Sequence, residues 1–278
     1  MNNNFLKNTY HPLFKKKKYI RKILQFIFNP IGFYIVDKAE YENLILNRWD
    51  MNLPQIFTYL KKFFNKKVII FDVGSHKGEF LYFFKNLFNS STIHCFEPQK
   101  DIFGELKVFI KTEKYKNVYC NNFGLDKING TKKFYPMSNT EKSSFIKSNN
   151  QNNAENNNSI DYEVFRGDNY SFSKQIKDID ILKINVQGME LNVLEGFENI
   201  LKSSNIKVIL AEYDYSNRYL SSSTIGDLEN FLNKFNYSLF DIVLLRRKRI
   251  IDHNNNLWFL KIRHGYAIFA NKDIIEKT

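Results

Sequence analysis

"VIIFDVGSHKG", running from Val68 to Gly78, is the stretch that decides the fold. Its first four residues are apolar without alternation, the pattern of a strand buried on both faces. Asp72 ends the run, Gly74 and Gly78 bracket a tight turn, and "EFLYFFKNLF" (Glu79 to Phe88) then carries a helical pattern. Such a turn leaves unpaired N–H groups at the helix start, and its glycines let a ligand approach the backbone. In an open α/β sheet, ligands gather at this edge.

The pattern repeats outward from there. "TIHCF" reads as a second strand followed by a helix over 101–115, and "NVYCNNFG" as a third strand. "DIDILKINV" leads into a helix over 190–202, and "IKVILAEYD" into one over 224–235. "YSLFDIVLL" and "HGYAIFANK" close the series as an antiparallel pair, with the basic run Arg246 to Arg249 in the hairpin between them. Alternation of this kind predicts an α/β fold with a mostly parallel sheet covered by helices on both faces. "GTKKFYPM" reads as one hairpin arm, and the Asn-rich segment 148–159 as a flexible loop.

Residues 1–67 differ in character and are read as a basic, helical N-terminal extension to a main domain over 68–278. Ile20, Ile23, Leu24, Ile27 and Phe28 share one helical face beside Lys15 to Lys18, Arg21 and Lys22, a pattern suited to an anionic membrane surface. The apolar run Ile23 to Val36 is too short to span a bilayer. A second helix is expected over 40–64, broken near Pro54. Cys95 and Cys120 lack metal-site spacing and read as free thiols, so the expected setting is the cytoplasm, with possible membrane association. The formal net charge of +12 over 278 residues suits phosphate, nucleic acid, anionic lipid or anionic glycan, or simply reflects a lysine-rich surface.

The motifs narrow the ligand. Glu97, followed by Pro98, ends the second strand about 20 residues past the glycine turn, where an acid binds the ribose hydroxyls of an adenosine-containing cofactor. Ser75 and His76 follow Gly74, so the middle glycine that admits a nicotinamide cofactor's pyrophosphate is missing. The carboxylate of Asp72 suits instead the cationic amino-acid end and sulfonium of S-adenosylmethionine. An oxidoreductase is the poorest fit.

In order, "FDVGSHKGEF", "CFEPQ", "NNFGLDKINGTKKFY", "KSSF", "ILKINVQGMELNVLEG" and "ILAEYDYS" resemble the FkbM family of S-adenosylmethionine-dependent methyltransferases, over about Val68 to Asn271. The resemblance implies a class I, Rossmann-like fold of seven strands with one antiparallel, and O-methylation, often of sugar hydroxyls in surface glycans or of natural products. By position it implies that Asp72, Gly74, Ser75 and Gly78 form the methionine-side loop and that Glu97 holds the ribose. Pro98 and Gln99 would flank the adenine, with Asn122, Phe123 and Gly124 beside it. Ser144 and Asp168 match two further family positions, as do Lys183, Gly188 and Glu190.

The match breaks at Asn185, where the family pattern generally carries an aspartate. An asparagine there can orient an acceptor hydroxyl but cannot act as an anionic base. Candidates for that base are Glu190, Glu212 and His76. Each also has a structural reading: a helix N-terminal acid, a partner for backbone N–H groups and a turn cap, respectively. No metal is expected. The resulting expectation is a methyltransferase acting on a glycan or other saccharide. The alternatives are a cofactor-binding remnant impaired at Asn185, in a glycan assembly complex, and an RNA methyltransferase. Nucleic acid is disfavoured as a partner because no recognisable RNA-binding module is appended.

Overall fold

The computed structural model describes residues 33–36, 52–64, 67–148, 158–214, 219, 222–251 and 258–276. The chain divides into two compact units, residues 1–49 with 244–263, and residues 50–243 with 264–278. In the first, β1 (Phe33–Val36) pairs antiparallel with the start of β11 (Trp258–Asn271), Phe33 opposite Lys261 and Val36 opposite Trp258. The amphipathic segment 15–28 and most of the Asn-rich loop lie outside the described residues.

The second unit is built on five parallel strands: β2 (Ile69–Val73), β3 (Thr92–Phe96), β4 (Val118–Asn121), β8 (Ile179–Ile184) and β9 (Ile206–Asp214). Their order is β4-β3-β2-β8-β9, and β11 lies antiparallel against β9. β10 (Tyr237–Ile251) also pairs with β11, which completes the seven expected strands. β8 is buried along its whole length, its charged residues Asp180 and Lys183 included, as expected of a strand covered on both faces.

Two sets of helices cover the sheet. On one face Phe71 packs against Tyr170 of α4 (Gly167–Ser173) and against Phe197. Phe197 lies between α5 (Glu190–Glu195) and α6 (Glu198–Lys202), where a single helix was expected. On the opposite face, Phe57 of α1 (Asn52–Leu60) makes edge contacts with Phe83 and Phe84 of α2 (Glu79–Leu87), and Phe80 meets the ring of Tyr266. α3 (Lys100–Thr112) follows β3, and α7 (Ile225–Leu232) opens on a capping box between Thr224 and Asp227.

A small second sheet of β5 (Gly124–Leu125), β7 (Ile160–Phe165) and β6 (Gly130–Phe134) is inserted between β4 and β8, with β6 antiparallel to β7. The "GTKKFYPM" arm is its edge. Of the helix expected over 40–64, residues 40–51 lie outside the described residues; the described part is α1, with Pro54 near its start, where a missing N–H costs nothing. One expectation is corrected: Arg246 to Arg249 lie within β10 and not in a hairpin loop. Among the described residues, no helix is long and apolar enough to cross a membrane.

Candidate functional site

The register of the sheet sets out the site. Asp72 lies opposite Lys183, and Val73 opposite Ile184, which lies opposite Ala211. One step further toward the C-terminal edge come Gly74, Asn185 and Glu212, with Tyr266 paired to Glu212 from β11. Strand pairing thus gathers Asp72, Gly74, Asn185 and Glu212, which are far apart in sequence.

The glycine turn is held by its own chain. Gly74 and Ser75 donate their N–H groups to the carbonyl of Phe96, at 3.0 and 3.1 Å. Ser75 Oγ donates to Asp72 O at 2.6 Å and accepts from Phe96 N–H at 3.1 Å. Gly74 has φ +73°, and a Cβ there would lie 1.9 Å from Asn185 O. The glycine is therefore required by the approach of β8 itself, besides any ligand. At Gly78, φ +99°, a Cβ would meet the Phe109 ring at 2.8 Å.

Asp72 is fully buried and forms an ion pair with Lys183, Oδ1 to Nζ 2.8 Å. Lys183 also donates to the carbonyls of Gly74 (2.8 Å) and Val73 (3.3 Å), and its ammonium lies 5.0 Å from the Phe80 ring centroid. The other oxygen, Asp72 Oδ2, is buried without a hydrogen-bond donor. An orphaned acceptor at a ligand-binding edge fits the ammonium of an amino-acid-bearing cofactor.

Glu97 is buried, and burial raises its carboxyl pKa. Its oxygens accept N–H bonds from His76 (3.0 Å) and Gln99 (2.9 Å), each keeping a lone pair for a further donor. Pro98 is buried beside it. Asn122 Nδ2 donates to Glu97 O (2.9 Å) and Pro98 O (3.2 Å), tying the end of β4 to that of β3. Phe123 is half-buried and packs edge-on against Phe165 at 4.7 Å. His76, at φ +46°, places ring Nε2 2.9 Å from Thr140 Oγ1.

His76, Glu79 and Glu141 bring ligand-type atoms within 4.8 Å of one another. Glu79 Oε1 lies 3.5 Å from His76 Nδ1, and the nearby Lys77 ammonium pairs with Glu105 at 2.8 Å.

Around Asn185 the side chains bond one another. Asn185 Nδ2 donates to Tyr266 OH (3.0 Å), and Gln187 Nε2 donates to Asn185 Oδ1 (2.8 Å) and Glu212 Oε2 (2.6 Å). Tyr219 OH lies 2.9 Å from Gln187 Oε1 and 2.8 Å from Lys142 O, and Ser144 Oγ donates to Gln187 O at 2.8 Å. Glu190 turns back on its own turn, accepting from Val186 N–H (3.1 Å) and Gly188 N–H (3.0 Å). Burial, and then the charge of Glu212, push its pKa up to about 7. Burial, followed by the same charge, pushes the Tyr266 phenol well up.

Away from the edge, Asp168 accepts N–H bonds from Asn199 (3.1 Å) and Ile200 (3.2 Å) at the start of α6 and pairs with Arg166. Sequence reasoning missed Gln187, Tyr219, Tyr266 and Thr140. Gln187 was within reach, since it lies in the same turn motif as Asn185. The others are brought in only by chain crossing.

Residues 72–239, more than half of the chain, match the family model described as the methyltransferase FkbM domain. The chain belongs to the FkbM methyltransferase family. It is an S-adenosylmethionine-dependent methyltransferase with a class I, Rossmann-like fold. Comparison with curated proteins gives no significant match.

Among solved structures, the FkbM chain is similar to an rRNA methylase from Streptococcus thermophilus (10% identity, 78% of this chain and 94% of that one, TM-score 0.38). It is also similar to precorrin-6y C5,15-methyltransferase from Geobacter metallireducens (13% identity, 73% and 78% covered, TM-score 0.42). A third is M. capricolum TrmK with bound S-adenosyl-homocysteine (12% identity, 77% and 67% covered, TM-score 0.35). Likeness of this degree carries nothing about the acceptor.

Proposed function

We propose that this FkbM domain transfers a methyl group to a hydroxyl of a saccharide, in a surface glycan or a related molecule. The observation that carries the reading is Glu212. It is a buried carboxylate in the same row as Asn185, one strand beyond the pair formed by Asp72 and Lys183. A carboxylate at that place takes over the proton-accepting duty that an asparagine cannot perform. The surrounding amides and hydroxyls of Asn185, Gln187, Tyr219 and Ser144 suit an acceptor recognised by hydrogen bonds.

S-adenosylmethionine supplies a methyl carbon already activated by the sulfonium. The chain's own tasks are to align the acceptor, exclude water and take its proton. In this reading Asp72 Oδ2 receives the ammonium, Gly74, Ser75 and Gly78 shape the loop around it, and Glu97 holds the ribose. Pro98, Asn122 and Phe123 line the adenine. Asn185 orients the acceptor hydroxyl and Glu212 removes its proton. Glu190 and His76, whose bonds hold the turn and the ribose acid, support the site. The free thiols of Cys95 and Cys120 support a cytoplasmic setting. Membrane contact through residues 15–28 would bring the domain to a lipid-linked acceptor.

Calorimetry with S-adenosylmethionine tests the first step, and absence of binding would sink the reading. Methyl-labelled donor is then offered to polysaccharide, lipid-linked saccharide and RNA fractions. Label is expected in carbohydrate and to fall at least about 100-fold in Glu212→Gln. Label confined to RNA would overturn the saccharide assignment. Activity of the wild type matching that of Asn185→Asp would show that Asn185 costs the enzyme nothing.

A further inference from the structure

Gln187 has φ +58°, in the left-handed region that L residues disfavour, and is followed by Gly188 at +101°. A glycine at 187 would meet the same turn with less strain, yet the chain keeps a long polar side chain there. Every polar end of that side chain is used. Nε2 faces Asn185 Oδ1 and Glu212 Oε2, and Oε1 faces the Tyr219 hydroxyl.

These contacts fix the direction of the whole row. The amide must point Nε2 at Glu212, because the reverse would set two acceptors 2.6 Å apart. Asn185 must then turn Oδ1 toward Gln187 and Nδ2 toward Tyr266. Gln187 therefore holds one oxygen of the Glu212 carboxylate and sets which end of the Asn185 amide faces Tyr266. Its backbone carbonyl, bonded to Ser144 Oγ, joins this row to the segment that crosses between β6 and β7.

We propose that Gln187 is a positioning residue for methyl transfer: its amide holds the Glu212 carboxylate and the Asn185 amide in register with the gap between methyl donor and acceptor. The proposal rests on the assignment of Glu212 given above. It also gives Asn185 a reason. One amide with two N–H groups holds a single carboxylate and a neutral partner here, whereas an aspartate at 185 would make it bridge two negative charges.

A test needs no acceptor. Sinefungin carries an amine where S-adenosylmethionine carries the transferred methyl, and S-adenosyl-homocysteine carries nothing there. The ratio of their dissociation constants, measured by calorimetry, therefore reads the negative charge facing the methyl position. Wild type is expected to prefer sinefungin, and Glu212→Gln to lose that preference. Gln187→Leu is expected to lower the preference by about tenfold while S-adenosyl-homocysteine affinity stays within about twofold. Gln187→Gly, which removes the side chain while easing the backbone, is expected to do the same even if Gln187→Leu folds poorly.

A preference unchanged in both Gln187 variants would overturn the proposal. So would a parallel loss of affinity for both compounds, which would mark Gln187 as merely structural. If wild type bound both compounds without preferring sinefungin, the Glu212 placement and this proposal would fall together. If it bound neither, the failure would lie in the donor-binding reading.

Discussion

Replacing Lys183 with methionine isolates an ion pair buried on both sides. The Asp72–Lys183 contact is 2.8 Å long, and the two side chains are 0% and 2% exposed, so water screens neither. A surface pair of the same length contributes about 0–1 kcal/mol, whereas removing one partner of a buried pair costs about 3–5 kcal/mol, because the remaining charge stays desolvated. Loss of Lys183 also removes the donor to the carbonyls of Gly74 and Val73, which places the expected cost in the upper part of that range. For a chain of this size the change lowers Tm by about 6–20 °C. Denaturant titration of wild type, Lys183→Met, Asp72→Asn and the double variant would close a thermodynamic cycle. The double variant is expected to be more stable than the sum of the single losses by at least about 2 kcal/mol. A Lys183→Met cost below about 1 kcal/mol, or strict additivity, would refute the claim that the pair is buried and coupled.

Gly74→Ala is expected to destabilise by more than about 3 kcal/mol, since its methyl would lie 1.9 Å from Asn185 O at a φ of +73°. Gly104→Ala in α3, where a Cβ meets nothing within 4 Å, should stabilise by about 0.5–1 kcal/mol, and both are read by denaturant unfolding. Glu190 gives a pH signature. Its folded pKa of about 7 exceeds the ordinary 4.5, so the folded state binds the extra proton between those values. Its stabilising contribution is then fully present below pH 4.5 and is lost as pH rises through 7, by at most about 3 kcal/mol. Stability curves for wild type and Glu190→Gln should diverge as pH rises, in favour of the variant, and parallel curves would contradict the assignment. Removing residues 1–28 should weaken binding to vesicles containing anionic lipid in a flotation assay, and unchanged binding would reject the membrane role of that segment.

Much of the protein was legible in its sequence because the relevant signals are local. The run from Val68 to Phe71, the acid after it and the glycines of the turn specify a buried strand entering a helix, and the repeat of that pattern specifies a mostly parallel sheet. Glu97 is marked as a candidate ribose acid by its distance from that turn. Strand length at the end of the chain was less legible, because apolar pattern loses meaning where charged residues such as Arg246 to Arg249 continue a strand.

The row around Asn185 needed the tertiary structure. Whether Lys183 faced a ligand or an acid was settled by the register that sets it opposite Asp72. The roles open to Glu190 and Glu212 were equivalent in sequence. Folding separates them by turning Glu190 onto its own backbone N–H groups and leaving Glu212 in the row with Asn185. Tyr266, some 80 positions from Asn185, enters that row only because β11 runs antiparallel beside β9. A sequence states which groups are present and how neighbouring residues are spaced. Hydrogen bonds between distant strands, and the burial that strengthens them, exist only once the chain has closed.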